Sequence, residues 1–151
     1  MPIIGFNFDK FLVEKKKELE PPIKVDSGMK ILDVKKQDLS VGGKKEPALR
    51  FNYEFSVKYD PQQAEVLIEG HLLFAESAKK VDEVFNGWKK DKKFDPEITQ
   101  LVMNNVLMRC NIKTLLLTQE VGLPPHIRLP ILKAGEPPKQ KPKSPVSEYT
   151  G

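Results

Sequence analysis

Two histidines and one cysteine, His71, His126 and Cys110, are the side chains best suited to nucleophilic, acid–base or metal chemistry near neutral pH. A Cys/His zinc site needs four ligands, so these three cannot build one. His71 lies in "EVLIEGHLLF", whose alternation reads as a strand, and His126 lies in the proline-rich "LPPHIRLP". Neither has an evident partner in the sequence. Cys110 sits in the middle of an apolar helical stretch, where a thiol is packing rather than a nucleophile. "VGGKKEP" has two glycines but lacks the spacing and the strand-to-helix setting of a phosphate loop. Carboxylates are plentiful, yet no pair falls on an apolar face that would tune its ionisation. The expectation is a protein without catalytic residues, metal or cofactor.

If chemistry is not the purpose, surfaces are. A chain of 151 residues with 39% apolar content has room for one core. The net charge of +4 comes mainly from lysines spread along the chain. The start, "MPIIGFNFDKFLVEKKK", has no basic region ahead of its apolar residues, and no apolar run approaches the ~20 residues that span a bilayer. A soluble, cytoplasmic protein without membrane insertion is expected.

The organising element is "ALRFNYEFSVKYDP". Leu49, Phe51, Tyr53, Phe55, Val57 and Tyr59 alternate with Arg50, Asn52, Glu54, Ser56 and Lys58. A strand sends successive side chains to opposite faces, so one face is an aromatic wall and the other is wet. "YDPQQA" reads as the turn after it, and "EVLIEGHLLF" as the returning arm of a hairpin. Ahead of it, "IKVDSGMKILDVKKQDLSV" is strand-like, with a bulge or bend expected at Ser27–Gly28, and "GGKKEP" reads as a loop. The first stretch, Phe6 to Val13, reads as a strand in preference to a short helix.

Helices follow. "SAKKVDEVFNGWKK" puts Val81, Val84, Phe85 and Trp88 on one stripe, and Gly87 argues for a short helix. "FDPEITQLVMNNVLMRCNIKTLLLTQEVG" is a long one: Asp95 is an N-cap, Pro96 suits the first turn and Gly122 can close the C-terminus. Strands followed by helices give an α+β fold, an antiparallel sheet of about four strands with a short and a long helix on one face. The long helix is apolar around most of its circumference, leaving a narrow polar stripe at Gln100, Asn104, Asn111 and Thr118. One side can lie on the aromatic wall. The other calls for a second subunit, with Val106, Leu107, Cys110, Leu116 and Leu117 at the interface, or for cover by the Trp88 helix and "LPPHIRLPIL".

In this order, "MKILDVKKQDLSV", the hairpin ending "EGHLLF", the long helix and "GLPPHIRLPIL" resemble the SecB-like export chaperones. The family's polar-Asp-apolar-Ser strand end is matched by Gln37-Asp38-Leu39-Ser40, its Gly-led hairpin end by Gly70 to Phe74, and its "LP" segment after the long helix by Leu129-Pro130. The resemblance covers roughly residues 29 to 132. It implies a SecB-like domain over 1–133, dimers or tetramers, no nucleotide, and long apolar grooves that hold unfolded or precursor polypeptides. Two departures stand out. Where the family has a terminal helix, 134–151 is rich in Pro and Lys and reads as a disordered tail. No acidic surface for an export motor can be placed, which leaves contact with export machinery open.

A holdase needs shallow apolar pockets and unpaired backbone, which bind non-native chains by burial and strand addition. The candidate lining is Leu39 and Val41, Trp88, and Leu123, Ile127, Leu129 and Ile131. The competing reading of these residues is ordinary core or subunit contact. Nucleic-acid binding is the alternative function, through "KKK" at 15–17 and "KKDKK" at 89–93, but few arginines and no interleaved aromatics argue against that partner. A purely structural homo-oligomer is the third reading.

Overall fold

The computed structural model describes residues 3–132 together with 134 and 135. The expected tail at 134–151 therefore lies outside the described residues, apart from Ala134 and Gly135.

Four strands come first: β1 (Ile3–Lys15), β2 (Lys24–Val41), β3 (Lys44–Asp60) and β4 (Ala64–Ala75). They form one antiparallel sheet in the order β1-β4-β3-β2. The strand reading of the first stretch holds and extends to both sides of Phe6–Val13. "GGKKEP" is not a six-residue loop. Only Gly42 and Gly43 form the turn, both at positive φ (57° and 81°), and Lys44 to Pro47 already pair with β2. A two-residue turn with positive φ at both positions matches the twist of the strands it joins, so pairing can begin at once. The expected bulge at Ser27–Gly28 is also corrected. Those residues pair regularly with Val57 and Ser56, and the irregularity falls between Ile31 and Asp33, at Leu32.

Because β1 and β2 occupy opposite edges, residues 16–23 must cross the end of the sheet. Gln63, 1% exposed, fastens that crossing. Its Oε1 accepts from the Glu20 N–H at 2.7 Å, its Nε2 donates to the Glu20 carbonyl at 3.2 Å, and its own carbonyl accepts from the Lys16 N–H at 2.8 Å. Leu19 and Ile23 then pack on the core.

Two helices follow, α1 (Ala78–Asp91) and α2 (Pro96–Glu120). At fourteen residues α1 is longer than Gly87 suggested. Asp95 caps α2 as expected, accepting from the Glu97 N–H. Both helices lie on the aromatic wall, whose six residues from Leu49 to Tyr59 are at most 1% exposed. The wall is thus core, joined by Val66, Ile68, Leu72 and Phe74 of β4. Burying side chains of this size contributes roughly 1.5–3 kcal/mol each, the largest favourable contribution in a domain of this size.

Ile98, Val102, Val106, Cys110, Thr114 and Thr118 form the seam of α2 that faces the sheet. Their spacing of four keeps them on one side of the helix. Thr118 is therefore part of the buried seam and not of an outer polar stripe. Met108, Ile112 and Leu116 are offset from that seam by two residues, about 200° around the axis, and they are exposed.

Candidate functional site

The chain leaves α2 through a turn set by Gly122. At φ 69° it lets the Gly122 N–H reach the Gln119 carbonyl and the Leu123 N–H reach the Thr118 carbonyl. This pair of bonds satisfies carbonyls that the helix end leaves open and redirects the backbone. Leu123 drops into the core at 5% exposure. The Tyr59 hydroxyl donates to the Pro124 carbonyl at 2.6 Å. His126 lies edge-on to Phe55, and its Nε2 is 2.7 Å from Asn111 Oδ1 on α2. Three side chains from β3 and α2 thus pin residues 123–126 across the helix–sheet junction.

Beyond this anchorage the segment opens to solvent. Ile127, Leu129, Ile131 and Leu132 are all exposed, the last two at about four-fifths of their surface. Pro124, Pro125 and Pro130 keep the stretch out of helix, and it makes no regular secondary structure. An extended backbone with an apolar side chain at nearly every second position is what a strand-like segment of another polypeptide can pair with and bury against. A second apolar surface is the outer side of α2, where Leu107, Met108, Ile112 and Leu116 are exposed.

The structure divides the sequence-derived candidates. Ile127, Leu129 and Ile131 stand together on one open segment. Leu123 is core, because the turn at Gly122 points it inward. Trp88 packs on the core at 9% exposure, stacked on Phe94 with centroids 5.0 Å apart and planes 9° from parallel, and its remaining surface lines a cleft with Ile31 and Met103, apart from the open segment. Leu39 is half-buried and Val41 exposed beside the Gly42–Gly43 turn, paired with Glu46 and Lys44 at the start of β3. His126 contacts β3 at Phe55, about 30 Å of strand away from Glu46. Leu39 and Val41 are therefore not beside the anchored residues 123–126. Among the expected interface residues, Val106 and Cys110 are fully covered by their own sheet, so a second copy cannot reach them. Leu107 and Leu116 are exposed, and Leu117 is half-buried. Met108, Ile112 and Leu132 were missed as surface candidates. The four-residue spacing of Met108, Ile112 and Leu116 is in the sequence, but a helix apolar around most of its circumference does not single it out.

The groups first considered for chemistry do have partners. His71 Nδ1 is 2.7 Å from Asp9 Oδ2, and an Arg50 guanidinium nitrogen is 3.9 Å from the same oxygen. This trio lies on the sheet face away from the helices. His126 is partnered by Asn111, and burial lowers its pKa from the ordinary 6.5. Burial pushes the Cys110 thiol up to about 12, so it stays protonated and unreactive at neutral pH. Burial likewise raises the Tyr53 and Tyr59 hydroxyls, which act as hydrogen-bond donors. Among the described residues, no cluster of three or more His, Cys, Asp or Glu side chains could hold a metal, and no helix is long and apolar enough to cross a membrane.

No family model matches the chain, and no curated protein matches it. Among solved structures it is similar to the Mycobacterium tuberculosis SecB-like chaperone Rv1957, solved in complex with a ChAD peptide from the HigA1 antitoxin. The superposition covers 89% of this chain and 91% of that one, with a TM-score of 0.51 and 11% sequence identity. At that identity the likeness shows the fold alone: an α+β, SecB-like sheet of four strands with two helices.

Proposed function

We propose that the protein is an ATP-independent holdase that binds non-native polypeptides, including precursor chains, in the cytoplasm. The observation that carries this reading is the extended apolar segment Ile127–Leu132, anchored at His126 and open beyond it. Anchoring limits the entropy lost when a client binds, while the free side chains and backbone remain available for burial and pairing. The fold shared with a chaperone solved with a bound peptide supports the same reading.

Self-association is part of the proposal. The outer side of α2, with Leu107, Met108, Ile112 and Leu116, is an apolar stripe that a second copy would cover. A dimer or tetramer would set several Ile127–Leu132 segments on one particle and strengthen client binding through multivalency. Such an assembly could hand its clients to an export machinery, a further step that a pull-down with precursor chains would test.

The experiment is suppression of aggregation of an unfolded test client, without nucleotide, by the parent and by the double variant Leu129→Ser with Ile131→Ser. The expected result is suppression by the parent and its loss in the variant, with an unchanged melting curve because both residues are exposed. A parent that never suppresses aggregation ends the holdase reading.

A further inference from the structure

A cleft of about 310 Å³ opens between the edge strand β2, the end of α1 and the start of α2. Its walls include Ile31, Trp88, Phe94 and Met103, and Lys92 and Lys93 also line it. That volume suits one large apolar side chain. We propose that this cleft is a peptide subsite taking an apolar residue flanked by Asp or Glu, the flanking carboxylates meeting Lys92 and Lys93. It rests on the polypeptide-binding reading above and assigns a second, charge-selective place to it.

Three observations support this assignment. The first is charge. Lys89, Lys90, Lys92 and Lys93 crowd the end of α1 with Asp91 as the sole acid among them. Among the described residues none of these four lysines has a carboxylate within 4.0 Å, although Lys36 and Lys80 nearby do pair, with Asp82 and Asp95. Lys89 and Lys92 rest instead over the rings of Phe85 and Trp88, 4.8 and 4.9 Å from the ring centres. Cations held by ring faces remain free to take a carboxylate. The second is an unmet donor. Trp88 is nine-tenths buried, and its Nε1 hydrogen has no acceptor. A buried N–H without a partner is costly, and a carbonyl or carboxylate oxygen brought in with a ligand would relieve it once the side chains that cover it shift. The third is shape. The walls are apolar and the cations lie beside them, the arrangement that selects an apolar anchor with acidic neighbours.

A nucleobase fits less well. Phe94 already stacks on the Trp88 indole, with planes 9° from parallel, and so takes one of the two faces a base would use.

Trp88 is the single tryptophan of the chain, so its fluorescence reports directly on the cleft. The full chain is titrated with two synthetic peptides sharing a Phe-Leu centre, one flanked by glutamates and one by lysines. The glutamate peptide is expected to shift Trp88 emission and bind about tenfold more tightly, an advantage that fades as salt is raised. Lys92→Asn with Lys93→Gln should erase that advantage; Asn is chosen because residue 92 sits at φ 56°. Should the double variant fold poorly, the salt dependence in the parent decides alone. Equal binding of the two peptides, with an unfolded client still held, overturns the subsite and leaves the holdase reading standing. Failure to bind either peptide or the client overturns both. Displacement of the glutamate peptide by a single-stranded oligonucleotide also overturns the subsite.

Discussion

The Tyr53 hydroxyl of β3 donates to the Asn7 carbonyl of β1 at 2.9 Å, reaching across the whole width of β4. It can do so because the residue it crosses is Gly70, paired with Tyr53 on one side and Phe8 on the other. The Tyr53 ring then stacks on Phe6 at 5.2 Å, and Arg109 of α2 lies 5.0 Å over Phe6. One missing Cβ thus lets a single side chain tie three strands together beneath the long helix.

Gly70→Ala is expected to lower stability by about 2–4 kcal/mol, through overpacking and the loss of a buried hydrogen bond. An added Cβ would collide with both the Asn7 oxygen and the Tyr53 ring, and neither has room to move. Tyr53→Phe removes only the hydroxyl and should cost about 1 kcal/mol. Denaturant melts of the two variants give the comparison. A Gly70→Ala protein as stable as the parent would show that the crossing can rearrange.

Phe55→Ala should cost roughly 3–5 kcal/mol, since the ring is 1% exposed in the centre of the wall and also backs His126. Client suppression by whatever fraction remains folded should be largely kept, because Tyr59 and Asn111 still pin the segment and the open residues begin at Ile127. A variant that melts like its parent yet no longer holds client would place the binding surface on the wall instead.

Acidification should weaken the anchorage at His126. Burial holds its pKa below the ordinary 6.5, so the neutral form is favoured in the folded state. A depressed folded pKa contributes stability that is present above about 6.5 and is lost as pH falls through the folded value. The chemistry agrees: neutral His126 donates from Nε2 to Asn111, whereas protonation adds a proton at Nδ1, which is buried without a partner. The advantage of the parent over His126→Gln should therefore shrink between pH 7.5 and pH 5 (from about one unit above the ordinary 6.5 to about one and a half below it, because the folded pKa lies lower). An advantage independent of pH would refute the assignment.

Leu107→Glu together with Leu116→Glu should dissociate the proposed assembly without unfolding the chain. Leu116 is half exposed, so its substitution should change intrinsic stability by no more than about 0.5 kcal/mol, whereas Leu107 is 38% exposed beside the buried Val106 and should cost about 1 kcal/mol. Light scattering on parent and variant reads the outcome. A parent that is monomeric at micromolar concentration, or a variant that keeps the parent's mass, removes α2 as the interface.

Local patterns determined much of the architecture. The alternation from Leu49 to Tyr59 specified a strand with one apolar face because side chains along a strand repeat every two residues. Asp95-Pro96 and Gly122 marked the ends of α2 because capping satisfies backbone groups within one turn. The exposed stretch from Ile127 to Ile131 could be read from its prolines. What the tertiary structure alone decided is which apolar residues are covered. A helix apolar around most of its circumference marks no clear inner side in its own sequence, so the choice of Val106 and Cys110 as the inner seam, and of Met108 and Ile112 as the outer, was made by contact with the sheet. The same holds for Trp88 and Leu123, whose composition suits a groove as well as a core. The partners of the two histidines lie 62 and 15 positions away, and the separation of Leu39 from Ile127 depends on strand lengths and pairing register. Burial and charge act through space, between residues that only the folded chain brings together.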